Sequence, residues 1–220
     1  MNKPGATHEG QLRPIGLLTY VYRTWIAIRR QTQKEWTQKL HGSTTPSAVE
    51  LAWETKKNEE LGKWQGEGSI TAFLDCYERV SHDKAYNRMI QTGCRPKIAN
   101  LVMDPYQGQR RIKVHGATSK ILRAKAGIIA VCAFAKDVLK AVLEPIKEVM
   151  EAECRDYVDD ITIIARGHDH KYVVPFFYTQ LERAKNWLTQ NNMALKEKKE
   201  QIYANNAKFK NNGKIPRLPR

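Results

Sequence analysis

The hydrophobic pattern is clearest in residues 154–165, which read C-R-D-Y-V-D-D-I-T-I-I-A. Tyr157 and Val158 precede the acidic pair Asp159 and Asp160, and four strand-favouring residues, 161–164, follow it. The pattern predicts a hairpin with both acids at its tip, on the rim of a sheet. Neighbouring carboxylates repel each other unless a cation neutralises them, and oxygen ligands of this kind suit Mg²⁺ or Mn²⁺. An acidic turn without a ligand explains the pair alone equally well.

A second hydrophobic strand is predicted over residues 69–75, which read S-I-T-A-F-L-D and end in the carboxylate of Asp75. An acid at the end of a strand lies where a sheet presents reactive groups, but a loop-facing aspartate is common there too. This strand on its own leaves both interpretations of Asp75 open.

Helical spacing dominates the first third of the chain. One predicted helix places Leu17, Val21, Trp25 and Ile28 on its inward face, with the basic residues facing elsewhere, namely Arg23, Arg29, Arg30 and Lys34. Residues 42–46 interrupt the pattern. Ser47 and Glu50 then form a predicted capping box that begins a second helix running towards residue 64.

The middle of the chain predicts two helices and a basic hairpin. Residues 81–93 predict a helix with Ala85 and Met89 inward and Gly93 as its C-cap, and Pro96 begins the next helix. The hairpin spans residues 110–123 and alternates aliphatic residues with cations, namely Arg110, Arg111, Lys113, Lys120 and Arg123. These cations either guard an edge strand against aggregation or contact nucleic acid.

The remaining elements complete the order. A nearly uninterrupted apolar run over residues 127–143 begins at Gly127 and predicts a buried helix, with the inward positions Cys132, Ala135, Val138 or Leu139, and Val142. Residues 175–192 predict an amphipathic helix through Phe177, Leu181, Ala184 and Leu188. Two short strands, 193–195 and 201–204, are predicted to pair about the lysine-rich residues 196–199. Residues 205–220 carry five cations and no acid, which predicts a basic, disordered tail.

The net charge of the chain indicates which kinds of partner it could bind. The formal net charge is +14, from 37 Lys and Arg against 23 Asp and Glu, which makes nucleic acid the first suspect and an anionic membrane surface the second. No apolar run approaches the ~20 residues that cross a bilayer, and the first residues resemble no secretion signal, so we expect an intracellular protein.

Metal and disulfide chemistry of cysteine is not indicated. Cys76, Cys94, Cys132 and Cys154 are scattered, without a C-x-x-C pair. Residues 168–170, His-Asp-His, suit a metal, but a charged loop after a strand is the better interpretation.

The ordered set of elements resembles the palm of reverse transcriptases, most closely those of non-LTR retrotransposons. The motif Y-V-D-D at residues 157–160 resembles their catalytic hairpin, F-L-D ending at Asp75 their first catalytic strand, and R-P-I beginning at Arg13 the start of their fingers. Gly127 matches the glycine that opens the helix supporting template and incoming nucleotide, and Lys199 the lysine of the last palm motif. The similarity covers roughly residues 12–204.

The resemblance implies an α+β fold, with an antiparallel palm sheet backed by helices. It divides the chain into a partial fingers region, 1–66, a palm, 67–204, and the basic tail, 205–220. It implies an RNA-directed DNA polymerase that extends a DNA primer on an RNA template with deoxynucleoside triphosphates and has no membrane partner.

The implied site has two divalent ions, Mg²⁺ or Mn²⁺, bridged by Asp75, Asp159 and Asp160. Arg13 and Lys199 would neutralise phosphate charge, with Lys199 also a candidate proton donor to pyrophosphate. Tyr77, Tyr157 and Gly127 would contact the substrate, and the cations of the basic hairpin the nucleic acid.

Two departures keep a second function open. The stretch D-C-Y-E-R-V beginning at Asp75 is a few residues short, which would move either Tyr77 or Asp75 out of place, and Val131 stands where the family has a glycine. The chain would then be a truncated or inactive copy, and the alternative is a non-catalytic nucleic-acid-binding module on the same fold. A two-metal nuclease or cyclase fits less well, because it gives R-P-I and the closing lysines no role.

Overall fold

The computed structural model describes residues 18–41, 47–77, 80–114, 117–129, 132–158, 160–195, 200–206 and 209. The chain divides into two compact units and passes between them three times: unit 1 comprises residues 1–40 and 80–142, and unit 2 comprises 41–79 and 143–220. The assignment of residues 1–66 and 67–204 to fingers and palm stays a prediction.

The elements follow one another in a mixed order. They are α1 Tyr20–Gln31, α2 Lys34–His41, α3 Ala48–Trp64, β1 Gly68–Tyr77, α4 His82–Gln91, α5 Pro96–Gln107, β2 Gln109–Arg110, β3 Lys113–Val114, β4 Ala117–Thr118, β5 Leu122–Arg123, α6 Ala135–Leu143, α7 Ile146–Val149, β6 Glu153–Tyr157, β7 Asp160–Gly167, α8 His170–Gln190, β8 Ala194–Leu195 and β9 Gln201–Ala204. Within the described residues, no helix is long and apolar enough to cross a bilayer.

Unit 2 is built on an antiparallel sheet in which β7 lies between β6 and β1. The even positions of β1, such as Ile70 and Leu74, are buried together with Ile161 and Ile163 of β7. Strand residues alternate between the two faces of a sheet, so these aliphatic side chains form one continuous apolar face. Helix α8 packs against β7 and β1, and its predicted inward residues are all buried, namely Phe177, Leu181, Ala184 and Leu188.

Helix α8 begins at His170, five residues before the predicted start at Pro175. Asp169 is its N-cap, and the Asp169 carboxylate accepts a hydrogen bond from the Lys171 amide at 2.9 Å. Pro175 lacks an N–H and so removes one hydrogen bond of the ladder, but the helix continues through it. In the His-Asp-His stretch, Asp169 therefore has a structural role.

The short strands β8 and β9 do not pair with each other, so that prediction was wrong. Both pair with β1: Cys76 lies opposite Leu195, and Phe73 lies opposite Gln201. β1 is ten residues long, and β7 pairs with only one of its edges. The other edge offers more backbone hydrogen-bonding groups than either short strand could offer the other. Residues 196–200 thus connect two strands that follow one edge of β1.

The predicted disorder of residues 205–220 was wrong for the three tail residues that the structure describes. Asn205 accepts a hydrogen bond from the Ser69 amide at 2.8 Å through its side-chain oxygen. Phe209 is buried, and its ring packs so closely on Gly68 that a Cβ atom added there would overlap it. The start of the tail therefore packs on β1, while residues 207–208 and 210–220 lie outside the described residues.

In unit 1, the predicted inward face of the first helix was wrong. Val21 and Ile28 are 77% and 56% exposed, whereas Ile26 is buried. Arg30, predicted to face elsewhere, makes a bidentate ion pair with the fully buried Asp137 of α6, at 2.6 and 3.0 Å. An aliphatic stripe shows that a helix is amphipathic, but a buried carboxylate needs its cation, and that requirement sets the packed face here.

Other predictions in this unit were confirmed. Ala85 and Met89 are buried on α4, Gly93 after it has φ +101°, and Pro96 is the first residue of α5. The basic hairpin forms through β2 with β5 and β3 with β4. In unit 2, the capping box of Ser47 and Glu50 begins α3.

The buried helix after the basic hairpin begins later than predicted. Gly127 has φ +100°, which a right-handed helix excludes, and α6 begins only at Ala135. Gly127 therefore lies in the connection before the helix. Of the predicted inward positions, Cys132, Val138, Leu139 and Val142 are buried, whereas Ala135 is half-buried.

Candidate active site

The acidic hairpin has a turn different from the predicted one. Tyr157 ends β6 and pairs with Asp160, the first residue of β7, so residues 158 and 159 connect the strands. Val158 has φ +56°, a left-handed conformation that costs a β-branched residue roughly 1–2 kcal/mol. Asp160 is thus fixed by strand pairing, and Asp159 lies outside the described residues.

Asp75 lies directly opposite Asp160 in the register of β1 and β7. Residues in direct cross-strand register share a face, and their Cβ atoms are about 5 Å apart. Asp75 is half-buried, Asp160 is exposed, and Tyr157 shares their face through its own pairing with Asp160. The fold therefore brings Asp75 together with Asp160, 85 positions later in the chain, and with Tyr157 on the other side of the hairpin turn. All three lie on the face of the sheet opposite the apolar core.

Helix α3 lies against the same strand, and the burial along β1 shows where its face opens. Thr71 is 1% exposed, whereas Phe73, two residues closer to Asp75 on the same face, is 42% exposed. Arg155 of β6 donates to the hydroxyl of Thr55 on α3 at 3.3 Å and pairs with Glu153 on its own strand. The acidic end of the sheet is consequently open to solvent.

Asp156, the acid of β6 that lies on the apolar face of the sheet, has a different environment. Asp156 is paired with Ile161, a residue of the apolar face, and its side chain is 5% exposed. The Lys147 ammonium lies 3.1 Å from its carboxylate. Strand alternation thus separates a structural acid, Asp156, from Asp75 and Asp160.

The donor set at this edge suits a divalent metal as far as it is described. Two cross-strand carboxylates offer hard oxygen ligands, and like charges in direct register are destabilising without a cation between them. No group of three or more His, Cys, Asp or Glu side chains suited to a metal occurs among the described residues, which do not include Asp159. Asp75 and Asp160 could therefore supply part of such a site.

Gly127 belongs to unit 1, where both its amide and its carbonyl make hydrogen bonds. Its amide donates to the Val80 carbonyl at 2.9 Å, and its carbonyl accepts from the His82 ring at 3.1 Å. Burial lowers the pKa of His82, although the hydrogen bond to Gly127 acts in the opposite direction. A neutral ring protonated at Nε2 satisfies this contact.

The cations of the basic hairpin, also in unit 1, divide into two kinds. Arg111, Lys113, Lys120 and Arg123 are exposed. Arg110 instead donates to the carbonyls of Tyr106 and Pro105 near the end of α5. Four of the predicted nucleic-acid contacts thus have free access to solvent, whereas Arg110 is engaged with a helix end.

The remaining predicted site residues are placed in part. Tyr77 is the last residue of β1 and pairs with Ala194. Arg13, Asp159 and Lys199 lie outside the described residues. Sequence reasoning missed Arg155, which alternation from Tyr157 could have found, and His82, whose contact 45 residues away leaves no local signal.

Comparison with known proteins identifies the fold and a family. The family model described as "Reverse transcriptase (RNA-dependent DNA polymerase)" matches residues 1–213. No curated protein sequence matches the chain.

Several solved structures are similar. An apo telomerase from Candida tropicalis, truncated from its C-terminal domain, has a TM-score of 0.59 and 16% identity over 86% of this chain and 42% of its own. Telomerase in complex with a TWJ fragment of telomeric RNA has TM-scores of 0.54 for C. tropicalis, at 14% identity over 84% of this chain and 33% of its own, and 0.52 for C. albicans, at 10% identity over 83% and 33%. The chain thus spans less than half the length of these relatives, and its mixed helix and antiparallel sheet fold is similar to their polymerase palm.

Proposed function

Because this chain belongs to the reverse transcriptase (RNA-dependent DNA polymerase) family, we propose that it extends a DNA primer on an RNA template with deoxynucleoside triphosphates. The register that sets Asp75 opposite Asp160 carries the proposal, since metal-assisted nucleotidyl transfer needs carboxylates close enough to share metal ions. The order of its motifs along the chain and the residues in them favour the non-LTR retrotransposon type.

Asp75, Asp160 and Asp159 would hold divalent metal ions, Mg²⁺ or Mn²⁺. When bound, such ions activate the primer 3′-hydroxyl and stabilise charge on the triphosphate and leaving pyrophosphate. Strand pairing fixes the backbones of Asp75 and Asp160 relative to each other, so their carboxylates would be presented to the metals from a preformed framework.

The other candidates would serve the substrate. Arg13 and Lys199 neutralise phosphate charge, and Lys199 donates a proton to the departing pyrophosphate. Tyr157, Tyr77 and Gly127 would contact the substrate, and the His82 ring would hold the Gly127 carbonyl in place. The exposed cations of the basic hairpin hold the nucleic-acid backbone.

Primer extension on an RNA template with Mg²⁺ or Mn²⁺ tests the proposal. Asp75→Asn and Asp160→Asn should each lower the rate about 10³-fold, because metal stabilisation of several kcal/mol is lost and each 1.4 kcal/mol is a factor of ten. The matched control, Glu182→Gln, alters an exposed acid of α8, on the other side of the sheet, and should stay within about twofold. Equal extension by Asp75→Asn and the wild type, or none by any of them, would remove the claim of catalysis.

A non-catalytic nucleic-acid-binding module is the second candidate. The four exposed cations of the basic hairpin and the shortened stretch after Asp75 favour it. It predicts no extension by the wild type, together with RNA binding that weakens steeply with salt and is unaffected by Asp75→Asn.

A further inference from the structure

A groove in unit 1 is lined by the end of α1, the start of α2 and the turn between α4 and α5. It consists of two cavities of about 250 and 520 Å³ that share Thr32, Gln33 and Arg95 as lining residues. We call it the α1–α5 groove. It shares no residue with the acids of unit 2 or with the basic hairpin.

The groove is strongly cationic. Its lining includes Arg29, Lys39, Arg95 and Lys97, all of them exposed, against one described acid, Glu35. Arg29 lies over the Trp25 ring, 5.5 Å from its centroid. Within the described part of the chain, no carboxylate forms an ion pair with any of these four cations, in contrast to Arg30 with Asp137.

The walls of the groove are connected by hydrogen bonds. Trp36, 4% exposed, donates through its indole to the Thr92 hydroxyl at 3.0 Å. The side-chain oxygen of the buried Gln33 accepts from the Arg95 amide at 3.4 Å. The cations are therefore presented from a preformed framework, which lowers the ordering cost of binding a polyanion.

We propose that the α1–α5 groove binds the phosphodiester backbone of a single-stranded RNA. Two concave segments in series, with exposed cations along both, fit a repeating anion better than a single one. Pro96 and Ile98 give the larger cavity an apolar side that suits sugar and base surfaces. An acidic protein segment would match the charge but would bring no bases or sugars to the apolar side formed by Pro96 and Ile98.

Fluorescence anisotropy with a labelled 15-nucleotide oligouridine tests the groove. Arg95→Glu with Lys97→Glu should weaken binding at least about 25-fold near 0.1 M salt and lower the salt slope by about 1.4, since each single-strand phosphate contact contributes about 0.7 to that slope. The matched control is Lys57→Glu with Lys171→Glu, which changes the net charge equally on exposed lysines of unit 2. It should stay within about threefold.

Folding is checked by thermal unfolding, and Arg95→Gln with Lys97→Gln replaces the charge reversal if that variant does not fold. The Arg95 side chain makes no capping hydrogen bond to α5, so the helix start should survive either change. Equal losses in the groove variant and its control, or no loss in either, would overturn the inference.

Two further outcomes would also overturn it: no RNA binding by the wild type, or competition by polyglutamate as effective as by unlabelled oligouridine at equal charge. The test is independent of catalysis. Asp75→Asn should keep full RNA affinity while it loses extension, so a failure of the groove and a failure of the proposed reaction are distinguishable.

Discussion

The two hairpins of this protein contrast in charge and in how they are held. The acidic hairpin, β6 with β7, lies in a five-stranded sheet, and Ile161 and Ile163 of β7 are fully buried. The basic hairpin forms two-stranded pairs of two residues each, and its Ile112 and Ile121 are about half exposed. Packing therefore holds the acids in one geometry and leaves the cations adaptable.

This difference suits two kinds of binding. Carboxylates that share a metal must keep their separation to within about 0.5 Å, and a rigid sheet provides that precision. Cations that follow a nucleic-acid backbone act largely through charge, so their exact positions matter less. The predictions below test that contrast.

The largest difference should appear in stability. Ile163→Ala removes a fully buried side chain and should lower the free energy of unfolding by about 3–4 kcal/mol, whereas Ile121→Ala in the basic hairpin should change it by at most about 0.5 kcal/mol. Urea unfolding followed by circular dichroism measures both. Similar costs for the two variants would show that the basic hairpin is packed as tightly as the sheet.

RNA affinity should depend on the basic hairpin rather than on the acidic one. Arg111→Gln with Lys113→Gln removes two exposed cations and should weaken oligouridine binding about 25-fold near 0.1 M salt, without a change in unfolding. Asp160→Asn in the acidic hairpin should leave affinity unreduced. Anisotropy titrations at several salt concentrations measure both, and an unchanged salt slope in the double variant would contradict the assigned contacts.

Arg110 should behave as a stabilising residue although it belongs to the basic hairpin. Arg110→Ala removes hydrogen bonds to the Tyr106 and Pro105 carbonyls and should cost about 1–2 kcal/mol of unfolding free energy, with the salt slope of RNA binding unchanged. Its neighbour provides the control, because Arg111→Ala should reduce the slope and spare the stability. The reverse result would place Arg110 at the nucleic acid.

The smallest effect concerns pH. Burial lowers the pKa of His82 in the folded chain, so the unfolded chain, with an ordinary value of about 6.5, takes up the proton first as pH falls. Stability should therefore decrease as pH falls below about 6.5, until the lowered pKa of the folded state is passed. In urea unfolding at pH 7.5 and 5.5, wild type should lose more stability than His82→Gln, and parallel losses would exclude this role.

Local patterns predicted those parts of the fold that local energetics decide. The capping box at Ser47, the inward residues of α4 and the stripe on α8 each depend on residues a few positions apart. The acid hairpin was found because strand-favouring residues flank it, and Asp75 because it ends a strand.

Contacts between distant residues account for what the sequence did not reveal. The pairing of β8 and β9 with β1, the ion pair of Arg30 with Asp137, and the contact of His82 with Gly127 each join positions 45 or more residues apart. The turn at Val158 was missed for another reason: its left-handed backbone contradicts the preference of a β-branched residue.

The pairing of Asp75 with Asp160 makes β1 sensitive to the position of any change in its length. An inserted or deleted residue between Gly68 and Asp75 would rotate the strand by half its period, turning Leu74 outward and Asp75 towards α8. A change after Asp75 lies beyond the last rung shared with β7. The shortened stretch follows Asp75, so the residues it lacks do not change the register of β1 with β7. Asp75 and Asp160 therefore remain side by side.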